Sequence, residues 1–221
     1  MIEAAIFDID GTLIDSVEGH AQAWEAAFKE FGFDVDLASV RRQIGKGSDQ
    51  LLPTLLKPDQ IKRAGQGIDA RQGELFKTHH LQGVRAFPGV RELFERLRND
   101  GVKRVLGSSG KPEDVETARA IAEITDFVDA MATSEDVDRS KPSPDIVQAA
   151  LKAITPTPAA CCVFIGDTPW DAEAAQRAGV IPLGLSNPVF SDDELIAAGC
   201  QRVFKSIPDL LRNYDEVLGL A

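Results

Sequence analysis

Five short apolar runs recur along the chain, around Ala4 to Phe7, Val102 to Gly107, Phe127 to Ala132, Cys161 to Ile165 and Val180 to Leu185. Most are followed by a segment whose apolar residues return every three or four positions, the spacing of a helix with one inward face. Strands that are apolar almost throughout need cover on both faces, and a parallel sheet with crossover helices provides it. The pattern predicts a doubly wound, Rossmann-like α/β core. Helix punctuation agrees. In KPSPDIVQAALKAI, Ser143 is placed to cap, Pro144 to take the first helical position and Asp145 to face the positive end of the dipole. Ile146, Ala149, Ala150 and Ala153 then form the inward face. In SDDELIAAG, Ser191 and Glu194 have capping-box spacing and Gly199 supplies the stop.

Between Ser16 and about Arg85 the alternation fails, because the segment holds no convincing strand and its patterns are helical throughout. Val17, Ala21, Trp24, Phe28 and Phe31 form one stripe, ended by Gly32. A second helical stretch runs roughly from Ile68 to Leu81, toward the turn signal Pro88-Gly89. These patterns predict a small α-helical cap over 16–85, carried on two linkers. The core is then discontinuous, formed by 1–15 and 86–221, with the cap covering the end of the first strand.

Open α/β sheets bind ligands beyond the carboxyl ends of their strands, so the residues that terminate each apolar run matter most. The first run ends in Asp8 and Asp10 within IFDIDGTLIDS, the second in Ser108 and Ser109, and the fourth in Gly166 and Asp167, with Asp171 four residues on. Lys141 stands just before the helix near Ser143. Each feature alone is ordinary: D-x-D after a strand is usually a solvated turn, and a single lysine is usually a surface charge. Together they place several acids, two hydroxyls and one ammonium at a single sheet edge. Hard oxygens from Asp8 and Asp167, joined by a backbone carbonyl, suit Mg²⁺.

In this order, DIDGT (Asp8 to Thr12), VLGSSG with Ser108, SKPSPD with Lys141 and IGDTPWD with Asp167 and Asp171 resemble the four motifs of the haloacid dehalogenase-like hydrolase superfamily. The resemblance is closest to its phosphatases and phosphomutases, which carry a helical cap after the first motif. It implies covalent phosphoryl transfer in which Asp8 attacks phosphorus and Asp10 protonates the leaving alkoxide, then activates water. It also implies that Ser108, Ser109 and Lys141 bind the phosphate and that Mg²⁺ is held by a set drawn from Asp8, Asp10, Asp167 and Asp171. Asp171 is the member expected to orient metal-bound water or Lys141. The second motif can be registered one residue later, which leaves Ser109 as the alternative to Ser108 for the phosphate-binding hydroxyl. From the cap, His20 and Lys46 are the candidate substrate contacts. IGKGSD is not a P-loop, since Val40 and Gly47 stand where that loop needs a glycine and a Ser or Thr, and no strand precedes it.

Composition narrows the partners. The chain has 221 residues, 43% hydrophobic and 27% charged, enough apolar material to fold without staples. A formal charge of -11 argues against a broad nucleic-acid footprint. No run of eighteen apolar residues and no signal-like start appear, so a cytoplasmic protein without a membrane segment is expected. Three cysteines, Cys161, Cys162 and Cys200, read as reduced core residues. The expected activity is Mg²⁺-dependent hydrolysis of a small phosphorylated metabolite, such as a sugar phosphate or a phosphoglycolate-like acid. A phosphomutase of the beta-phosphoglucomutase type is the alternative, weakened because Ser48 or Asp49 stands where that cap carries an arginine. A phosphonate hydrolase using Lys46, and a non-enzymatic aspartyl-phosphate switch, rank below it.

Overall fold

Residues 1–220 are described in the computed structural model. Among them, six strands form one parallel sheet: β1 (Ala4–Phe7), β2 (Lys103–Gly107), β3 (Ala130–Ala132), β4 (Cys162–Gly166), β5 (Ile181–Leu185) and β6 (Arg202–Phe204). Their order is β3-β2-β1-β4-β5-β6. From β1 the chain winds outward through β2 and β3, then returns to the other side of β1 for β4 to β6, so the switch point lies between β1 and β4. Phe7 pairs in register with both Leu106 and Ile165. The three central strands therefore end at one level, and the residues just beyond them emerge together.

The apolar pattern located five of these strands. β6 escaped it because three residues at a sheet edge, two of them only partly buried, make no readable run.

The insert carries α1 (Val17–Glu30), α2 (Leu37–Arg41), α3 (Ser48–Leu55) and α4 (Pro58–His79). α1 follows the expected stripe until Phe31, which is exposed beyond the helix end, and Gly32 stops it at φ +78°. α4 begins ten residues before Ile68, at a proline in the first helical position, because its early turns present mostly polar side chains that leave no stripe. The two linkers pair with each other: Phe87 N donates to Leu13 O (2.9 Å) and Asp15 N to Arg85 O (2.9 Å).

The core helices are α5 (Val90–Asn99), α6 (Pro112–Ile121), α7 (Asp145–Ala153), α8 (Pro169–Arg177), α9 (Asp192–Ala197), α10 (Ile207–Arg212) and α11 (Tyr214–Leu218). Side-chain alternation along β1 sends Phe7 to one face, with Leu93, Phe94 and Ile165, and Ile6 to the other, with Val105, Phe164, Ile146 and Val147. α7 starts one residue later than its sequence suggested. Ser143 Oγ bonds the Asp145 carboxylate (2.5 Å) instead of capping a helix N–H, and Ala153 is exposed while Val147 and Ile154 are buried. The Ser191–Glu194 capping box forms as expected. All three cysteines are free; Cys162 and Cys200 are buried and Cys161 is half-buried. No helix among the described residues is long and apolar enough to cross a membrane.

Candidate active site

Asp8 sits one residue past β1, its N–H bonded to Ile165 O (2.9 Å) of β4. Its Oδ1 accepts from Lys141 Nζ at 2.5 Å, while its Oδ2 is buried with no hydrogen-bond partner. Lys141 is fully buried and also donates to Asp171 Oδ1 (2.7 Å). The second Asp171 oxygen accepts from Thr168 Oγ (2.6 Å) and Thr168 N (3.1 Å), closing the capping box of α8. Asp167 has only a long bond from Thr12 Oγ (3.4 Å) on its carboxylate, and its carbonyl takes the Asn187 amide. Gly11 turns the chain against it at φ +84°; a Cβ there would stand 2.4 Å from Asp167 Oδ2, so both the conformation and the room require glycine. Oxygens of Asp8, Asp167 and Asp171 lie within 4.8 Å of one another.

Three buried carboxylates share one buried ammonium, and their acidities record it. Burial, reinforced by Asp171 and Asp10, raises Asp8 from 3.8 to about 7 against the pull of Lys141. Burial and the neighbouring Asp171 and Asp8 push Asp167 well above the carboxylate range. Burial alone would lower the Lys141 pKa, but the Asp171 and Asp8 carboxylates reverse that and hold it protonated. The cluster lacks positive charge, and an oxygen without a donor faces into it. Hard carboxylate donors with one orphaned atom fit a divalent cation.

Asp10 stands apart from this cluster. Its Oδ1 accepts from Ser16 Oγ (2.5 Å) and lies 3.3 Å from His20 Nε2, both at the start of the insert. Burial works to raise its pKa, yet contacts with His20 and Ser16, with Lys141 beyond, bring it below the ordinary value. Of the four carboxylates expected at a metal, the structure thus brings Asp8, Asp167 and Asp171 together and takes the Asp10 side chain elsewhere. His20 Nδ1 meets the Gln72 amide (3.1 Å), and its ring stacks on Phe76 at 3.6 Å and 7°. His20 therefore backs Asp10 from within the cap.

Ser108 is buried, and its Oγ accepts from Gly110 N (3.0 Å), which leaves its own hydrogen free to donate. Ser109 instead turns its hydroxyl to Gly45 O of the insert (3.4 Å). Lys46 Nζ sits 3.8 Å over the Trp170 ring and donates to Gln43 Oε1 (2.7 Å); burial lowers its pKa. Trp170 lies between Lys46 and Phe190, touching both the cap and the segment before α9. A cavity of about 330 Å³ separates insert and core, with Asp8, Asp10, Ser108 and Ser109 on one side and His20, Lys46, Asp49, Gln72 and Phe76 on the other. Of the supporting residues, only the Thr168–Asp171 box is readable in the sequence, as a T-x-x-D spacing opening a helix. Thr12, Ser16, Gln72 and Asn187 act through contacts that carry no spacing signal.

Against known proteins, a family model described as haloacid dehalogenase-like hydrolase matches residues 2–179. The chain is similar to a validoxylamine A 7'-phosphate phosphatase of Streptomyces hygroscopicus subsp. limoneus, 29% identical over 190 residues that cover 84% of this chain and 86% of the relative. It is also similar to a phosphorylated carbohydrates phosphatase of Thermotoga maritima, 27% identical over 219 residues, 98% and 100% of the two chains. The solved structure of a hydrolase from Pseudomonas syringae superposes with a TM-score of 0.89 at 28% identity, covering 97% and 99%.

Proposed function

The chain belongs to the haloacid dehalogenase-like hydrolase family, and from that premise we propose that it is a Mg²⁺-dependent phosphomonoester hydrolase acting on a small phosphorylated metabolite. The observation that carries the reading is the Asp8 carboxylate at the cavity floor, one oxygen pinned by Lys141 and the other buried without a partner. A buried oxygen without a partner calls for an explanation, and beside two further carboxylates at a cavity floor an ion or a reacting phosphate supplies one.

Asp8 forms a bond to phosphorus as the ester P–O bond breaks, and Asp10 hands a proton to the departing alkoxide. In the second step Asp10 takes a proton from water, whose oxygen attacks phosphorus; the aspartyl P–O bond breaks, inorganic phosphate leaves and Asp8 is restored. Asp10, ionised beside Ser16 and His20 in the free site, gains its proton when a phosphate dianion arrives and raises its pKa. Lys141 and Ser108 hold the phosphate oxygens. Asp8 and Asp167 suit Mg²⁺, which when bound offsets the charge of phosphate and nucleophile together. Asp171 has both oxygens committed, to Lys141 and Thr168, and so orients the lysine.

The outer cavity speaks to the organic part of the ester. Asp49, Asp69, Asp114 and Asp138 line it beside apolar Trp24 and Phe76. Of its three lysines, Lys46 is spent on Gln43 and Trp170 and Lys77 on Asp114 (2.8 Å), which leaves Lys111 as the lysine set against four aspartates. No arginine lines it among the described residues. A neutral, hydroxyl-bearing group suits such a wall better than a second anion, which favours a sugar phosphate over a phosphoglycolate-like acid or a mutase's bisphosphate.

A screen of phosphorylated metabolites with Mg²⁺ tests this. Steady release of inorganic phosphate is expected, with higher kcat/KM for sugar phosphates than for phosphoglycolate, and Asp8→Asn should lose at least about 1,000-fold. Clean isomerisation of glucose 1-phosphate without phosphate release would replace the hydrolase with a mutase.

A further inference from the structure

The loop that carries Lys141 is held in place from the insert. Residues 44–49, running from the loop after α2 into the first turn of α3, reach three core loops at once. Ser109, after β2, bonds Gly45 O. A Cβ on Gly45 would stand 2.9 Å from Thr168 Cγ2, after β4. The third contact is the closest and falls on Ser140, the residue before Lys141. Ser140 is 5% exposed, and each of its polar groups is engaged. Its N–H donates to Asp49 Oδ2 (3.0 Å), its Oγ donates to Asp49 Oδ1 (2.5 Å) and accepts from Gly47 N (2.9 Å), and its carbonyl accepts from Ser143 N (3.0 Å). All but the last come from the insert. Gly47 leaves the room for this contact: a Cβ there would stand 2.8 Å from Ser140 Cβ, Ser140 Oγ and Asp49 Oδ1. Its φ of -75° suits any residue, so glycine is needed here for space alone.

We propose that Asp49 and Ser140 are positioning residues that brace the Lys141 loop, so that docking of the insert completes the phosphate-binding site of the core. This rests on the reading that Lys141 holds the transferring phosphate. Lys141 Nζ spans Asp8 and Asp171 with no solvent exposure, an arrangement that tolerates little backbone drift. Small misplacements of such a group cost large factors in rate. With the insert swung away, Ser140 keeps only its Ser143 bond, and Lys141 is held by Asp8 and Asp171 alone, from a backbone no longer fixed. The cap then governs turnover of every ester, including one too small to touch its walls, and its role extends beyond choosing substrates.

Asp49→Asn keeps the shape but withdraws one of the two acceptors, so that the Ser140 N–H and hydroxyl compete for the oxygen that remains, and Ser140→Ala removes the hydroxyl while leaving the N–H. Both variants and their combination are assayed with p-nitrophenyl phosphate, and amide hydrogen exchange is followed over 137–143. Each single change should lower kcat about 10- to 100-fold with a smaller effect on KM, and the double variant should fall no further than the worse single one. Exchange at the Ser140 amide should quicken in Asp49→Asn. Losses that multiply in the double variant, wild-type kcat in both singles, or unchanged exchange in Asp49→Asn would each overturn the brace. A wild-type protein with no turnover of any phosphomonoester would instead sink the hydrolase reading, while the exchange arm still decides whether the brace exists. Should Asp49→Asn fold poorly, Gly47→Ala breaks the same contact from the other side and is held to the same outcomes.

Discussion

Burial makes Asp8 a weak acid, so a divalent cation binding there would compete with a proton. Its carboxyl titrates at about 7 against an ordinary 3.8, because burial and neighbouring carboxylates outweigh Lys141. A raised acid stabilises the metal-free fold fully below about 3.8, and that contribution is lost as pH rises through about 7. Metal binding runs the opposite way, since the ligand has to be ionised. Calorimetric titration of Mg²⁺ is expected to show binding about tenfold or more tighter at pH ~8 than at pH ~5.5, with protons released. An affinity indifferent to pH would remove Asp8 from the ligand set. The neighbouring hydroxyls differ as clearly. Ser108 is buried with a hydrogen to give, whereas Ser109 faces Gly45, so Ser108→Ala should cost about 100-fold in kcat and Ser109→Ala much less. The reverse ranking would move the second motif by one residue.

At the scale of elements, α1 ties the cap to the chemistry. Ser16 immediately before it and His20 in its first turn both touch Asp10, and α4 backs His20 with Gln72 and Phe76. The two helices pack through buried Phe28, Trp24, Ile68 and Leu75. Phe28→Ala should destabilise the protein by about 3–5 kcal/mol, read as a fall in the urea or thermal midpoint. A change under about 1 kcal/mol would mean that the α1–α4 pair contributes little to the fold. α1 was legible because its apolar residues repeat cleanly as far as Phe28; the first half of α4 was hidden behind a polar run, KPDQIKRAGQG. The family resemblance singled out His20 as a candidate cap contact. It could not tell that the ring lands on Asp10, which depends on Phe76, fifty-six residues away, stacking behind it.

Across the whole molecule, insert and core meet through half-buried polar contacts near Lys141 and exposed ion pairs farther out. Arg42 pairs with Glu194 (2.6 Å) and Lys77 with Asp114 (2.8 Å), all four side chains well exposed. Exposed pairs are worth about 0–1 kcal/mol each and weaken with salt, whereas the Asp49–Ser140 contact joins an exposed carboxylate to neutral donors on a buried serine, so there is no ion pair to screen. Raising ionic strength to ~0.5 M should therefore lower kcat/KM less than about tenfold, well short of the loss expected from Asp49→Asn. A steeper salt dependence would place the hold on the insert in the outer pairs.

Apolar periodicity and the residues at the strand ends were enough to predict the α/β class and a helical insert, and to single out Asp8, Asp10, Ser108, Ser109, Lys141, Asp167 and Asp171 as candidates at one sheet edge. Those are local properties, since a strand must bury its faces and a parallel sheet gathers the loops after its strands at one edge. Only the tertiary structure decided the division of labour within the group. Asp171 is committed to Lys141 and Thr168, Asp10 is drawn to Ser16 and His20, and Ser140 is gripped by Asp49 from the insert. Each depends on contacts between residues distant in the chain or on the rotamer a carboxylate finds among competing donors, and neither leaves a trace in spacing or composition.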